Sequence, residues 1–347
     1  MAEKVVLAAL ENDDDLLLLS SLNEEKVLAY QKLDIDNLTN DQCRTMFRFG
    51  REDINILSNA LRLPEKIICN NRTVASGVEG LCIVLRRLAY PCRLEDLEPV
   101  LWRTKVEISY IFNHVIDYLY NTHNHLLSDL SRDWLSYEHL RSYAEAVSDR
   151  NAPLENCWGF IIDGTVRPIC RPQQNQKLVF NGHKRLHGLK FQSIVIPNGL
   201  ISHLYGPIDG RHHDAGMLRE SNVLAQMANH MTSPNGHIFS VYGDPAYPLG
   251  DGYIIPPYRG GAISRNQMIF NKRMSAVRIC VEWAFGKVLS IFAYLDFKKN
   301  QKVYLQPVGK YYAVAVLLTN CHTCMYGSET SSFFNLQPPT LQEYLRG

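Results

Sequence analysis

The sequence predicts an α/β protein in which a mixed sheet flanked by helices follows an all-helical N-terminal part. Apolar residues recur near helical spacing up to about residue 150, which predicts helices. From Cys157 onward, short apolar runs bounded by Gly, Pro or Asn predict strands. Two predicted strands deliver an acid at their ends, Asp163 and Asp244, and a third acid, Glu282, lies on a predicted helix. The chain therefore divides into a helical part and a later part built around a sheet.

The N-terminal residues 1–30 are acidic and rich in leucine, with Asp13–Asp15 directly before four leucines. We expect a loosely ordered tail there, and a helix that docks on a partner is the alternative. The polar break at Ser148–Pro153 marks the boundary between the two main parts. The predicted domains are the tail, a helical domain over 31–150, a sheet domain over 151–325 and a C-terminal tail over 326–347.

The helical domain contains a predicted helix-turn-helix. A short helix over Arg93–Leu101 precedes a turn at Trp102–Thr104, and a longer helix follows with an apolar stripe from Ile108 to Leu119. In helix-turn-helix proteins the second helix enters the major groove of DNA. Arg103 and Lys105 at the turn are candidate contacts to DNA phosphates.

A structural or dimerising helix bundle explains the same pattern. The outward positions of the longer helix include Glu107, Asn113 and Asp117, and none of its outward positions is Arg or Lys. Asn113 could read adenine, whereas the two acids would repel phosphate. Both interpretations stay open at this point.

The sheet domain starts with a strand over Cys157–Asp163. Strands over Leu189–Ile196 and Leu200–Gly206 are joined through Asn198-Gly199, a strong hairpin signal. The pattern further predicts a helix over Asp214–His230, a strand over His237–Tyr242, an extended piece over Tyr253–Pro256, and helices over Ser264–Ile291 and Val303–Cys321.

The composition is that of a globular protein with a proper core. The chain has 347 residues, of which 46% are hydrophobic and 20% are charged, and its net charge of +1 says nothing about nucleic acid. The odd number of nine cysteines indicates reduced thiols inside a cell. Because no run approaches the roughly 18 apolar residues of a membrane span, and no signal-peptide pattern opens the chain, we expect no membrane partner.

Asp163, Asp244 and Glu282 suit a two-metal site. An unpaired buried carboxylate is costly, and metal coordination is one way to stabilise it. Mg²⁺ and Mn²⁺ prefer hard oxygen ligands and take only a few carboxylates from a protein. Two such ions can hydrolyse a phosphodiester. Spacing in sequence alone does not show that the three acids converge, since a lone strand-end Asp is more often a cap or an ion-pair partner.

The sequence resembles the DDE-type transposases of the PIF/Harbinger superfamily and their host-derived nucleases. The motifs that carry the resemblance are Ile162–Thr165, Phe180–Lys184, Gly206–Asp214, Gly243–Pro248, Ile254–Tyr258, Phe270-Asn271 and Arg278–Gly286. They lie in order across about 130 residues. Two positions depart from the family pattern: Pro245-Ala246 follows the second acid, and Asn198-Gly199 stands where many members have an acid in the turn.

The resemblance implies an RNase H-like fold in which Asp163, Asp244 and Glu282 hold Mg²⁺ or Mn²⁺ and cut DNA. In true transposases it also implies transfer of the freed strand to target DNA. It also implies that the protein is located in the nucleus, with the cytoplasm as a second possible location. It implies a separate Myb-like protein as a partner, and assembly into a homo-oligomer is a further possibility.

Further candidates lie around the predicted triad. Asp214 is either an accessory acid or the N-cap of its helix. The basic residues Lys177, Lys184, Arg185 and Lys190 either guide DNA past the metals or form a solvated loop. Cys321 and Cys324 have the spacing of half a zinc site, and the sequence has no second such pair.

Two other functions compete with a nuclease. A domesticated, catalytically silent factor would keep the fold and bind DNA or protein, although the intact acids argue against it. An unrelated metal-dependent phosphohydrolase acting on nucleotides would use the same three carboxylates.

Overall fold

A computed structural model describes residues 33–212, 214–233, 235–249 and 251–346, and the side chains of residues 162–164, 214 and 215 are outside the description. The predicted acidic tail over 1–30 lies outside the described residues. In the part of the chain that is described, no helix is long and apolar enough to cross a membrane.

The described chain is helical up to residue 148 except for one small hairpin, and mixed after it. The helices are α1 (Asn40–Phe47), α2 (Arg51–Ala60), α3 (Gly77–Ala89), α4 (Glu98–Leu101), α5 (Lys105–His123), α6 (His125–Ser128), α7 (Tyr137–Ser148), α8 (Gln176–Val179), α9 (Asp214–Glu220), α10 (Val223–His230), α11 (Arg265–Arg278), α12 (Cys280–Ile291), α13 (Val308–Tyr326), α14 (Glu329–Phe334) and α15 (Leu341–Arg346). The strands are β1 (Lys66–Ile68), β2 (Val74–Ser76), β3 (Cys157–Pro168), β4 (Phe180–Asn181), β5 (Leu186–Val195), β6 (Ile201–Asp209), β7 (Ser240–Tyr242) and β8 (Ile254–Ile255).

The sheet is mixed and has six strands. Its order is β4–β5–β3–β7–β8, and β6 also pairs with β5. Strand β5 runs antiparallel to β3, β4 and β6, whereas β3, β7 and β8 are mutually parallel. Helices α6, α7, α12 and α13 pack against its strands. This mixed α/β architecture is compatible with an RNase H-like DDE nuclease fold.

The hairpin that joins β5 and β6 has the predicted turn. Gly199 has φ +90°, a conformation that favours glycine. The side chain of Asn198 is fully buried, donates to the Tyr143 hydroxyl (2.9 Å) and accepts from the Leu200 N–H (3.1 Å). The turn is therefore fixed against α7 of the helical part as well as by its own backbone.

The helical part shares one hydrophobic core with the sheet. Helix α5 begins at the N-cap Thr104 with a capping box to Glu107, as its sequence favours. Further along, the Asn113 Oδ1 accepts from the Tyr311 hydroxyl of α13 (2.7 Å), and Asp117 pairs with Lys310 (2.5 Å). The polar side of α5 thus contacts α13, and a DNA-binding helix-turn-helix is not confirmed.

Several segments differ in detail from the sequence prediction. The strand predicted over Cys157–Asp163 continues to Pro168, so Asp163 lies inside β3 and not at its end. The helix predicted over 264–291 is two helices, because an i to i+3 turn at Ile279 separates α11 from α12. The helix predicted over 214–230 is interrupted at Asn222, which has φ +54°. The predicted C-terminal tail forms α14 and α15, where Tyr344 is fully buried and accepts from the Asn320 Nδ2 (2.9 Å).

The buried His203 on β6 predicts a pH-dependent stability. Burial lowers the pKa of its imidazole to about 4, whereas an unfolded histidine has a pKa near 6.5. As pH falls from about 6.5 to 4, the unfolded chain takes up a proton that the folded protein does not. The free energy of unfolding should therefore fall by up to about 3 kcal/mol as pH falls over this range. Above about pH 6.5 the buried histidine should cost no stability.

Urea unfolding of the parent and of His203→Gln between pH 4 and 7 measures this effect. The variant should lose that share of the pH dependence. The matched change His230→Gln, at an exposed position, should leave it as in the parent. Equal pH dependence in the parent and His203→Gln would contradict the assignment.

Candidate active site

Asp163 lies at an irregularity in strand β3. Ile162 is opposite Ser193 of β5 and Thr165 is opposite Phe191, so three residue steps on β3 match two on β5. The extra residue makes a β-bulge at positions 163–164, a feature that re-aims side chains beside active sites. The predicted first acid therefore occupies a backbone position that differs from the rest of the strand.

Asp244 follows the neighbouring parallel strand at the same level. Gly159 and Phe160 of β3 are opposite Val241 and Tyr242 of β7. One residue further, a Cβ added to Gly243 would lie 3.4 Å from the Ile161 Cγ2. Adjacent strands lie about 4.8 Å apart, so the backbone at 244, just past the end of β7, is a close neighbour of the backbone at 163, inside β3.

The Asp244 carboxylate is partly exposed, at 32%. Its Oδ1 accepts from the N–H of Ala246 in its own turn (2.8 Å), and its Oδ2 lies 3.9 Å from the Arg278 Nη1 at the end of α11. The turn hydrogen bond orients the carboxylate, and the long approach of Arg278 leaves Oδ2 accessible.

Glu282 is on the first turn of α12, and two other side chains of this helix lie near side chains of β3. Burial raises the pKa of the Cys280 thiol, with a further contribution from nearby Cys157 at the start of β3. Beyond the bulge, the Arg167 guanidinium of β3 lies 5.9 Å from the Phe285 ring centroid. Asp163 lies between Cys157 and Arg167 on the strand, and Glu282 lies between Cys280 and Phe285 on the helix.

The structure thus brings the backbone at 163 and 244 close together, and it places Cys280 and Phe285 of α12 near residues of β3. Among the side chains that it describes, no group of three or more His, Cys, Asp or Glu is close enough to hold a metal, and the side chain of Asp163 is not one of these. The convergence of the three carboxylates stays a prediction.

The donor set fits a hard divalent cation. Glu282 is exposed and makes no hydrogen bond or ion pair with any residue whose side chain is described. The Oδ2 of Asp244 makes no hydrogen bond with any residue whose side chain is described, since the Arg278 Nη1 lies 3.9 Å away. Carboxylate oxygens that are not committed to other partners are the ligands that Mg²⁺ and Mn²⁺ take from proteins.

The predicted DNA-contacting residues near β3 fall into two groups. Lys177, Lys184 and Arg185 are exposed on the segment between β3 and β5. Lys190 is buried in β5, where its ammonium donates to the His212 carbonyl (2.9 Å). The exposed three are placed to meet DNA phosphates, whereas Lys190 contacts the protein itself; the DNA role of all four stays a prediction.

Arg103 is held by carboxylates. Its Nε and Nη2 donate to the two oxygens of Glu79 (2.7 and 3.0 Å), and its Nη1 donates to Glu107 (3.0 Å). Only 10% of its side chain is exposed. Lys105 is exposed and pairs with Glu95 (3.0 Å). A phosphate contact by Arg103 would require it to leave these partners.

The remaining candidates are Asp214 and the pair Cys321 and Cys324. Asp214 is the first residue of α9, whereas an N-cap is the residue before the first helical one, and its side chain lies outside the description. Its role as an N-cap or an accessory acid stays a prediction. Cys321 and Cys324 are free thiols, and burial raises the pKa of Cys324 to about 12. A protonated thiol is a poor zinc ligand, and the described part of the chain offers no third ligand beside them.

Sequence reasoning missed the basic helix next to the candidate site. Helix α11 contains Arg265, Lys272, Arg273 and Arg278 and no Asp or Glu. Arg265, Lys272 and Arg273 are exposed, and Arg278 faces Asp244. The one-sided charge of residues 265–278 was visible in the sequence, but the approach to Asp244 was not.

Comparison with known proteins gives one family. Residues 162–320, just under half of the chain, match the family model of the DDE superfamily endonucleases. The matched range contains all three predicted acids and starts at the bulge of β3. The match supports a DDE transposase-type nuclease. Searches of curated proteins and of solved structures each gave no significant match.

Proposed function

We propose that this protein is a metal-dependent DNA endonuclease in which Asp163, Asp244 and Glu282 hold the catalytic ions. The observation that carries the proposal is that residue 163, at a bulge inside β3, lies beside residue 244, which follows the end of the parallel strand β7. The match of residues 162–320 to DDE superfamily endonucleases supports the same reaction class.

The three carboxylates would hold two Mg²⁺ or Mn²⁺ ions at the end of the sheet. When bound, such ions activate water and relieve charge on the phosphoryl group and the leaving oxygen. The turn around Asp244 holds its carboxylate through the Ala246 N–H. Glu282 is on a helix, and its exposed carboxylate is free to adjust as the third ligand.

DNA is the substrate that the surrounding charges favour. Exposed Lys177, Lys184 and Arg185 lie on the segment after β3, and Arg278 at the end of the basic helix α11 lies next to Asp244. Cationic side chains that flank an acidic metal site attract the phosphate backbone, and binding through them is sensitive to salt.

The sequence motifs are the basis for assigning the protein to a particular group of DDE nucleases. We infer a nuclease of PIF/Harbinger type that acts in the nucleus on element ends, assisted by a Myb-like protein partner. Strand transfer and assembly into a homo-oligomer are part of the same inference. These assignments rest on the motifs from Ile162–Thr165 to Arg278–Gly286, and on no contact within the chain.

Removal of the divalent metal is expected to stop cleavage. Purified full-length protein should nick a supercoiled plasmid with Mg²⁺ or Mn²⁺ and leave it intact in excess EDTA, and added Mn²⁺ should restore nicking. Gel electrophoresis of the plasmid measures both. Ca²⁺ should support DNA binding with far less cutting, because hydrolysis needs the geometry of the smaller ions. Cleavage that persists in EDTA would overturn the proposal.

A further inference from the structure

A groove of about 400 Å³ lies beyond the C-terminal end of β3, between the chain that leaves this strand and the loop before α13. Its lining includes Arg171, Gln173, Gln174, Lys302, Tyr304 and Leu305. We call it the 170–305 groove. A cavity of this size is large enough to take a ligand such as a nucleotide.

The walls of the groove are held by main-chain contacts. The Cys170 N–H donates to the Gln301 carbonyl (2.9 Å), and Gln301 is itself buried and donates to the Tyr294 carbonyl (2.8 Å). The N–H groups of Leu305 and Gln306 both donate to the Lys302 carbonyl. The loop is therefore an ordered wall attached to the end of β3.

The charge of the groove is one-sided. Arg171 and Lys302 line it, both are exposed, and no Asp or Glu is among its described lining residues. Lys298 and Lys299 precede it on the same loop and are exposed. The groove is suited to an anionic ligand.

An aromatic ring stands at the same place. Tyr304 is 62% exposed and Leu305 is 78% exposed. Tyr304 has φ +74°, a conformation that costs free energy for a bulky residue and persists only where its surroundings impose it. Its hydroxyl accepts from the Asn175 Nδ2 across the groove (3.2 Å). The ring is thus held at the surface beside the cations.

We propose that the 170–305 groove binds single-stranded DNA, with one base stacked on Tyr304 and the adjoining phosphates near Lys302 and Arg171. Non-specific binding of single strands combines a cationic groove with aromatic rings on which bases stack. Duplex DNA does not offer a base face, so the exposed ring favours an unpaired strand. That the strand is DNA rests on the proposed function.

The position of the groove relates it to the cutting site. Cys170 follows Asp163 by seven residue steps, which at about 3.3 Å per extended residue span roughly 23 Å at most. The groove would therefore hold an unpaired strand within roughly 23 Å of the bond that is cut.

Binding of fluorescent oligo-dT to the full chain in EDTA tests the groove without cleavage. We expect Tyr304→Ala to raise the Kd about tenfold and Tyr304→Phe, which keeps the ring, to stay within about twofold of the parent. Lys302→Gln should reduce the slope of log K against log salt by about 0.7, the value for one phosphate contact with a single strand.

Matched controls lie in the helical part. Tyr90→Ala removes a ring that is 53% exposed, and Lys66→Gln removes an exposed lysine; both should leave binding unchanged. An unchanged Kd in Tyr304→Ala would overturn the proposal, as would an equal loss for a duplex of the same length. Loss in Tyr304→Ala that Tyr304→Phe does not rescue would also overturn it, since stacking would not be the cause.

The test separates the groove from the nuclease. If oligo-dT binding depends on Tyr304 while plasmid nicking is absent in Mg²⁺, the groove stands and the proposed function fails. If nicking occurs and Tyr304→Ala binds oligo-dT like the parent, the nuclease stands and the groove assignment fails.

Discussion

Replacement of Asp163 by Asn is expected to abolish DNA cleavage, with a loss of about a thousandfold or more. The change keeps the size of the side chain and removes the charge that would hold a divalent cation. Several kcal/mol of transition-state stabilisation come from such ions, and each 1.4 kcal/mol is about a factor of ten in rate. Plasmid nicking in Mg²⁺ measures the loss, and Asp244→Asn and Glu282→Gln should each cause one of similar size.

The matched control is Asp209→Asn, which changes another acid of the sheet, at the end of β6 and outside the predicted triad. It should cut like the parent. All variants should show the circular dichroism and melting temperature of the parent, because the change at Asp163 is isosteric. Cutting by Asp163→Asn at the rate of the parent would remove this residue from the site.

Local features of the sheet could be predicted from the sequence. The Asn198-Gly199 turn between two apolar runs was enough to predict the pairing of β5 with β6. The bulge at 163–164 was beyond the sequence, because a bulge is a mismatch of register between two strands and β5 comes more than twenty residues later. The acid was therefore predictable, while the way in which the backbone presents it was not.

Long-range ion pairs and packing limited the rest of the prediction. Arg103, at the turn before a helix, lies at a position typical of a phosphate contact. Its guanidinium instead donates to Glu79, which is 24 residues away in sequence. Asn113 could have faced a DNA base, and instead meets Tyr311, 198 residues later. The C-terminal residues are polar enough to suggest a tail, yet Tyr344 is buried in the core. Each outcome depends on a partner that local pattern cannot identify.

Replacement of Arg103 by Met is expected to lower the free energy of unfolding by about 3–5 kcal/mol. The variant leaves the Glu79 carboxylate, which is only 4% exposed, without its two hydrogen bonds from the guanidinium. The carbonyl of Val74 also loses its donor. A buried charge without a partner is strongly destabilising, and urea denaturation of the full chain measures the change.

Two further variants show whether Arg103 acts through this pair or through DNA. Arg103→Met/Glu79→Leu should recover much of the lost stability, because it removes the uncompensated charge together with its partner. Lys105→Met breaks the exposed pair with Glu95 and should leave the free energy of unfolding close to that of the parent, because exposed ion pairs contribute little to stability. If Arg103→Met instead unfolds like the parent and shows a shallower salt dependence of DNA binding, the guanidinium contacts phosphate and the helical part binds DNA as its sequence suggested.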